Sequence, residues 1–132
     1  MSGPIHYALA LNATPERVYS ALTDAAKFAQ VTGLPAEIGI EAGGAFSCFG
    51  GMIEGRHIEL LPNKRIVQAW RVKTWEPGVY SIVKFELKAD GDGTRLWFEH
   101  VGFPPEHRAH LDPGWHVKYW EPLRQYLAAQ PA

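Results

Sequence analysis

The stretch from Gly114 to Ala129, Gly-Trp-His-Val-Lys-Tyr-Trp-Glu-Pro-Leu-Arg-Gln-Tyr-Leu-Ala-Ala, most constrains what this chain can fold into. Trp115, Tyr119, Leu123, Tyr126 and Leu127 recur at steps of three and four and so share one face of a helix. Trp120 stands beside them and widens the stripe. A helix carrying two tryptophans and two tyrosines needs a broad apolar surface to lie on. Pro122 removes one backbone donor and crowds the carbonyl of Lys118, which predicts a bend between Lys118 and Pro122.

The upstream sequence supplies such a surface. Ile5 to Leu11 reads as a first strand. Thr14 suits an N-cap and Pro15 the first helical position, with Val18, Tyr19 and Leu22 turned inward. Asp24 caps a second short helix that buries Phe28 and Val31 and ends at Gly33. The period then changes to two. Glu37–Ile40, Ala45–Phe49, Met52–Leu61, Arg65–Val72, Val79–Ala89 and Thr94–Val101 read as strands, separated by Gly-, Pro- and Asn-rich turns. Short links between neighbours favour an antiparallel meander. Ser81, Val83, Phe85 and Leu87 share one face, and Leu96, Phe98 and His100 another; Lys84, Glu86, Trp97 and Glu99 point away. Residues 102–113 read as a loop, and Trp75, at the exposed tip of the turn Thr74–Gly78, reads with Trp97 as an anchor for a partner or a guard at a pocket mouth. The expectation is one α+β domain over residues 1–132: a curved antiparallel sheet of about six or seven strands gripping the last helix, with two short helices after the first strand.

At 132 residues one core can form without disulfides or a structural metal. The single cysteine, Cys48, forbids an intrachain disulfide and reads as a buried, inert thiol. Thirteen basic residues balance fourteen acidic ones with no basic run, so nucleic acid is not an expected partner. No stretch has membrane-spanning length and no signal-peptide pattern opens the chain, so a cytoplasmic protein is expected.

Thr14–Tyr19, Gly43-Gly44 with Phe46, Gly51–Gly55, Leu61–Val67 with Trp70-Arg71, Gly93–Leu96 and Gly114-Trp115 form an ordered set across nearly the whole chain. With this set the chain resembles the superfamily of START lipid-transfer domains, birch-pollen-allergen-type proteins and polyketide cyclases. Within it, the chain is most similar to the family named for the C-terminal domain of the activator of the heat-shock-protein-90 ATPase. The resemblance implies a helix-grip fold with a cavity between sheet and helix. It does not fix an activity. The chain has no room for the activator's separate N-terminal chaperone-binding domain, which counts against a chaperone partnership.

The expected function is binding of a small hydrophobic or amphipathic molecule in that cavity, lined by Trp70, Phe85, Phe98, Trp115 and Tyr119, with Arg56 and His100 as polar anchors. Two alternatives stand beside it. One is a stress-related or chaperone-associated interaction module, with pairing to a second copy among its options. The other is a cyclase- or hydrolase-type enzyme using His100 near neutral pH. Each aromatic also reads as core filling, and His100 as a hydrogen-bonded core histidine. Glu54 and Arg56 share a strand face that the sequence does not assign. His107, His110 and His116 lack the spacing of a zinc helix, and no nucleotide fingerprint is present, so neither metal nor cofactor is expected.

Overall fold

A computed structural model describes residues 3–129. Strand β1 (Ile5–Leu11) is followed by α1 (Pro15–Thr23) and α2 (Ala25–Thr32). Then come β2 (Glu37–Ile38), β3 (Ala45–Cys48), β4 (Ile53–Leu61), β5 (Arg65–Val72), β6 (Ser81–Asp90) and β7 (Gly93–Val101). The seven strands form one sheet in the order β1-β7-β6-β5-β4-β3-β2, antiparallel throughout. The meander from β2 to β7 follows chain order because each link is a short turn. β1 closes the sheet by pairing with β7, Leu9 opposite Leu96 and Ile5 opposite His100.

The caps fall where the side chains call for them. Thr14 accepts from the Arg17 N–H (3.3 Å) and Asp24 from the Lys27 N–H (3.0 Å). Gly33 ends α2 in the left-handed region at φ 77°.

The C-terminal helix is longer than the sequence pattern implies. Residues 102–113 are not all loop: a 3₁₀ turn (Pro105–His107) leads into α3 (Arg108–Trp115), with Pro113 inside it. The helix passes through a π segment (His116–Trp120) into α4 (Glu121–Ala129). The interruption thus lies beside the predicted bend, and its form is a π widening. Pro122, second in α4, cannot donate to the carbonyls of the preceding turn, and the π segment absorbs that missing bond. The wider turn puts residues five apart on one side, so Trp115 and Trp120 stack with centroids 5.8 Å apart. Trp115, Tyr119, Trp120, Leu123 and Leu127 are all buried as a result.

One face of the sheet carries Phe46, Ile53, Ile66, Trp70, Val83, Phe85, Leu87, Leu96 and Phe98, which pack with α1, α2 and the C-terminal helix into one core. The other face is open and ion-paired: Lys84 and Arg65 meet Glu86, and Glu59 meets Arg65. The β1 edge is protected by the C-terminal helix. Arg124 donates to the Ala10 carbonyl (3.0 Å) and Arg108 to that of Gly3 (3.0 Å), using up acceptors that another strand would otherwise seek.

Gly55 lies opposite Phe46 on the inner face, and a Cβ there would sit 1.9 Å from the Ala69 carbonyl oxygen and 2.9 Å from the Phe46 ring. Both neighbours are fixed by the sheet, so Gly55→Ala is expected to lower stability by about 3 kcal/mol or more, measured by urea unfolding.

Candidate functional site

An open cleft of about 600 Å³ lies between the C-terminal helix and the ends of β4 and β5. Its walls are built by three devices. On the helix side, Trp115 and Tyr119 face inward, while Gly114 contributes no side chain; a Cβ there would meet nothing within 4 Å. On the sheet side, inward alternation along β5 presents Trp70, whose ring lies 5.4 Å from that of Trp115.

The third wall is the β5–β6 loop, drawn in by Arg71. Its guanidinium donates to the carbonyls of Trp75 (2.7 Å), Glu76 (3.2 Å) and Val79 (3.2 Å) and pairs with Glu54. Trp75 is therefore not an exposed tip. It is buried against Trp70 (5.8 Å) and stacks on His107 (5.9 Å, 17°).

At the mouth, Phe49 has φ 56°, a left-handed conformation uncommon outside glycine, just before Gly50 and Gly51 at φ 67° and 98°. This turn sets the Phe49 ring 5.3 Å from Tyr119 and beneath the Lys118 ammonium (5.9 Å).

Of the seven residues nominated from sequence, Trp70, Trp115 and Tyr119 line this cleft. Phe85 lies deeper, with Phe28, Phe46, Cys48 and Tyr119 around an interior void of only about 10 Å³. Phe98 is buried beneath Trp115 (4.3 Å) and Trp120 (5.1 Å). Among the described residues the space between sheet and helix around Phe85 and Phe98 is thus packed with rings, and the larger space lies at the open end. Arg56 is elsewhere: it is exposed on the outer face and donates to the Gly43 carbonyl (3.0 Å). Its strand phase, one step from buried His57, sends it outward. Glu54 shares that face.

His100 is fully buried, with both ring nitrogens occupied. The Trp115 indole N–H donates to Nδ1 (3.1 Å), which leaves Nε2 to carry the proton and donate to Ser81 Oγ (2.7 Å). The Ser81 hydroxyl in turn donates a hydrogen bond to the Trp70 carbonyl (3.0 Å). An acid–base role would require one of these bonds to break. Burial lowers the His100 pKa to about 3, and it lowers that of His57 against a contact from the Gly39 backbone. Burial pushes the Cys48 thiol up to about 12, so it stays protonated, and raises Tyr119 well above the phenol range.

His107 and His110 border the cleft, whereas His116 packs edge-on against Tyr7 (4.6 Å). Among the described residues no three His, Cys, Asp or Glu side chains form a metal-binding group, and no helix is long and apolar enough to cross a membrane. Sequence reasoning missed Phe49, His107 and Leu111 as cleft residues, and it placed Trp75 at a pocket mouth but outside the core. The Phe-Gly-Gly turn was the available signal for the first.

Residues 12–128 match the family model described as Activator of Hsp90 ATPase homolog 1-like protein. The chain is 29% identical over 112 residues to the human protein named activator of 90 kDa heat shock protein ATPase homolog 1, covering 85% of this chain and 33% of that one. It thus spans about a third of that relative's length. Among solved structures, an HSP90 activator from Plasmodium falciparum superposes with a TM-score of 0.89 at 24% identity, covering 96% of this chain and 97% of the other. The Aha1 dimer from Colwellia psychrerythraea gives 0.81 at 21% identity, covering 96% of each chain. Identities this low show the fold.

The His100 chain has a pH signature. The unfolded state protonates this imidazole near pH 6.5 and the folded state only near pH 3. Between those values the unfolded chain holds the extra proton, so stability falls as pH falls, by about 1.4 kcal/mol per unit from this group once well below 6.5. His57 adds to the same trend, since its folded pKa is also lowered. Urea unfolding from pH 7 to pH 4 is expected to show this slope, and His100→Gln to reduce it.

Proposed function

The chain belongs to the Activator of Hsp90 ATPase homolog 1-like family, and on that premise we propose that it is a chaperone-associated interaction module that engages an Hsp90-type chaperone through its surface. The observation that carries this reading is the packed interior. Beneath the helix the void bordered by Phe28, Phe46, Cys48, Phe85 and Tyr119 is only about 10 Å³, too small for a ligand, so contacts with other molecules fall to the exterior and the open cleft. The open sheet face supports it. Trp97 and Ile82 are exposed there among paired charges, beside a groove of about 390 Å³ bordered by His6, Lys84, Glu86 and Glu99. An aromatic set in a charged surround is the composition of a protein-binding patch. Self-pairing belongs to the same proposal, since the Colwellia relative is described as a dimer.

The human relative carries about two-thirds of its length beyond the matched region. Linking a module to a second contact raises its effective concentration, so this stretch by itself is expected to bind weakly. Titration of the protein into its host's Hsp90, read by calorimetry and by the chaperone's ATPase rate, is expected to give saturable binding. Trp97→Ala, which removes a half-exposed ring from the open sheet face, should weaken it. No heat of binding and an unchanged ATPase rate would defeat the proposal.

The cleft favours a second reading, that a small apolar or amphipathic molecule binds there. Its volume falls in the range of ligand pockets, and its floor of Trp70, Trp115 and Tyr119 is set by packing before any ligand arrives. Native mass spectrometry of protein from its own host is expected to show a copurifying small molecule under this reading, and a clean apo mass counts against it.

A further inference from the structure

Resting on the self-pairing in the proposal above, we infer that a second copy of this chain docks on the open sheet face, with Trp97 at the centre of a twofold interface and Lys84 of each copy meeting Glu99 of the other. The dimer and the chaperone complex then use one surface and exclude each other.

A twofold contact sets one patch against itself, so the patch must carry both halves of every contact: a ring and a space for it, a cation and an anion. The outward rows of β1, β7 and β6 carry all four. Register places Ala8 opposite Trp97 and Trp97 opposite Glu86; in the next row His6 lies opposite Glu99 and Glu99 opposite Lys84. Trp97 is 44% exposed, and because its neighbour on β1 is only a methyl, the ring stands beside a groove of about 390 Å³. That space takes the Trp97 ring of the second copy, as its own ring is taken in return. Tryptophan is enriched among the residues that carry interface binding energy.

The charges are arranged for exchange. Lys84 faces Glu99 in register, yet its ammonium pairs with Glu86 (3.4 Å), which Arg65 also holds (3.4 Å). Lys84 is therefore the spare cation: when it swings away, Glu86 keeps Arg65. Glu99 is the spare anion. Among the described residues its ion pair is with His6 at 3.7 Å, a side chain charged only when protonated. Lys84 of one copy and Glu99 of the other satisfy each other, and twofold symmetry makes the contact twice. Such pairs set register and orientation more than they add affinity.

The face is also large enough. Strands β1, β4, β5, β6 and β7 run seven to ten residues each, which gives a face on the order of 600 Å² in projection, the scale of the roughly 800 Å² that each partner contributes to a standard interface. The core and the helices packed on it lie on the opposite side. Because the chaperone patch proposed above lies on the same strands, apparent chaperone affinity falls with the fraction of monomer.

Sedimentation equilibrium of the full chain, from micromolar to about 1 mM, is expected to show a reversible monomer–dimer transition. Lys84→Glu and Glu99→Lys each set like charges across the twofold and should weaken dimerisation by at least about tenfold. Mixed in equal amounts, the two variants should pair with each other about as tightly as the wild type pairs with itself. Such rescue arises only across an interface, since within each chain the substitution stays uncompensated. Trp97→Ala should weaken dimerisation too, and melting temperatures near that of the wild type check that all three variants fold. Adding the host's Hsp90 should dissociate the dimer. A dimer that all three variants leave intact overturns this surface and leaves self-pairing standing. Charge variants that weaken the dimer without rescue on mixing overturn the Lys84–Glu99 contact. Hsp90 that binds without dissociating the dimer overturns the exclusion. Protein that stays monomeric to about 1 mM overturns this inference and the self-pairing together, while leaving the chaperone reading to its own titration.

Discussion

The structure hangs on a short hydrogen-bond chain buried among aromatic rings. The Trp115 N–H meets His100, His100 meets Ser81, and Ser81 meets the backbone of Trp70. In three bonds the C-terminal helix is tied to β7, β6 and β5. Each link is directional, so the chain fixes the rotation of the helix about its axis, which ring packing alone leaves loose. It also holds the histidine neutral in one tautomer, because the indole can only donate. Around it Trp70, Phe98, Phe103 and Trp115 exclude water. That exclusion strengthens the bonds and makes any unpaired member costly.

A second constraint works from the outer side. Arg71 lies on the face of β5 away from the helix, yet its bonds to three loop carbonyls shape the cleft on the opposite side. The loop has few backbone partners of its own, and a fork of fixed donors gathers its carbonyls at once. Arg108 and Arg124 do comparable work at the β1 edge, converting open acceptors into contacts with the helix. In this small fold, arginine side chains finish the backbone hydrogen bonding that strands and helices leave undone.

The family fixes the fold but leaves its use open. Here the void beneath the helix is small, and the larger space lies at the mouth, where helix, β5 and the Arg71-held loop meet. The surface proposed to engage a chaperone and the cleft beside the C-terminal helix lie on different parts of the protein. Trp97 and Ile82 belong to the open sheet face, whereas Trp70 and Trp115 belong to the helix side. The two proposed sites share no residue.

By itself the sequence determined the elements whose signals are local. The caps at Thr14 and Asp24, the stop at Gly33, the alternation of Val83, Phe85 and Leu87, and the helical step from Trp115 to Leu127 each depend on neighbours along the chain, and each is found as read. The inward direction of His100, Trp70, Phe98 and Tyr119 followed from the same periodicity. What tertiary structure decided depends on partners distant in sequence. The helix starts at Arg108, across a segment whose prolines read as loop, because contacts with β1 and Gly3 support it. Trp75 is buried because Arg71 reaches it through space, and Arg56 is outward because pairing with β3 and β5 sets the phase of β4. Periodicity says which residues share a side, but only the packed sheet says which side is covered, and only the assembled walls say where space is left.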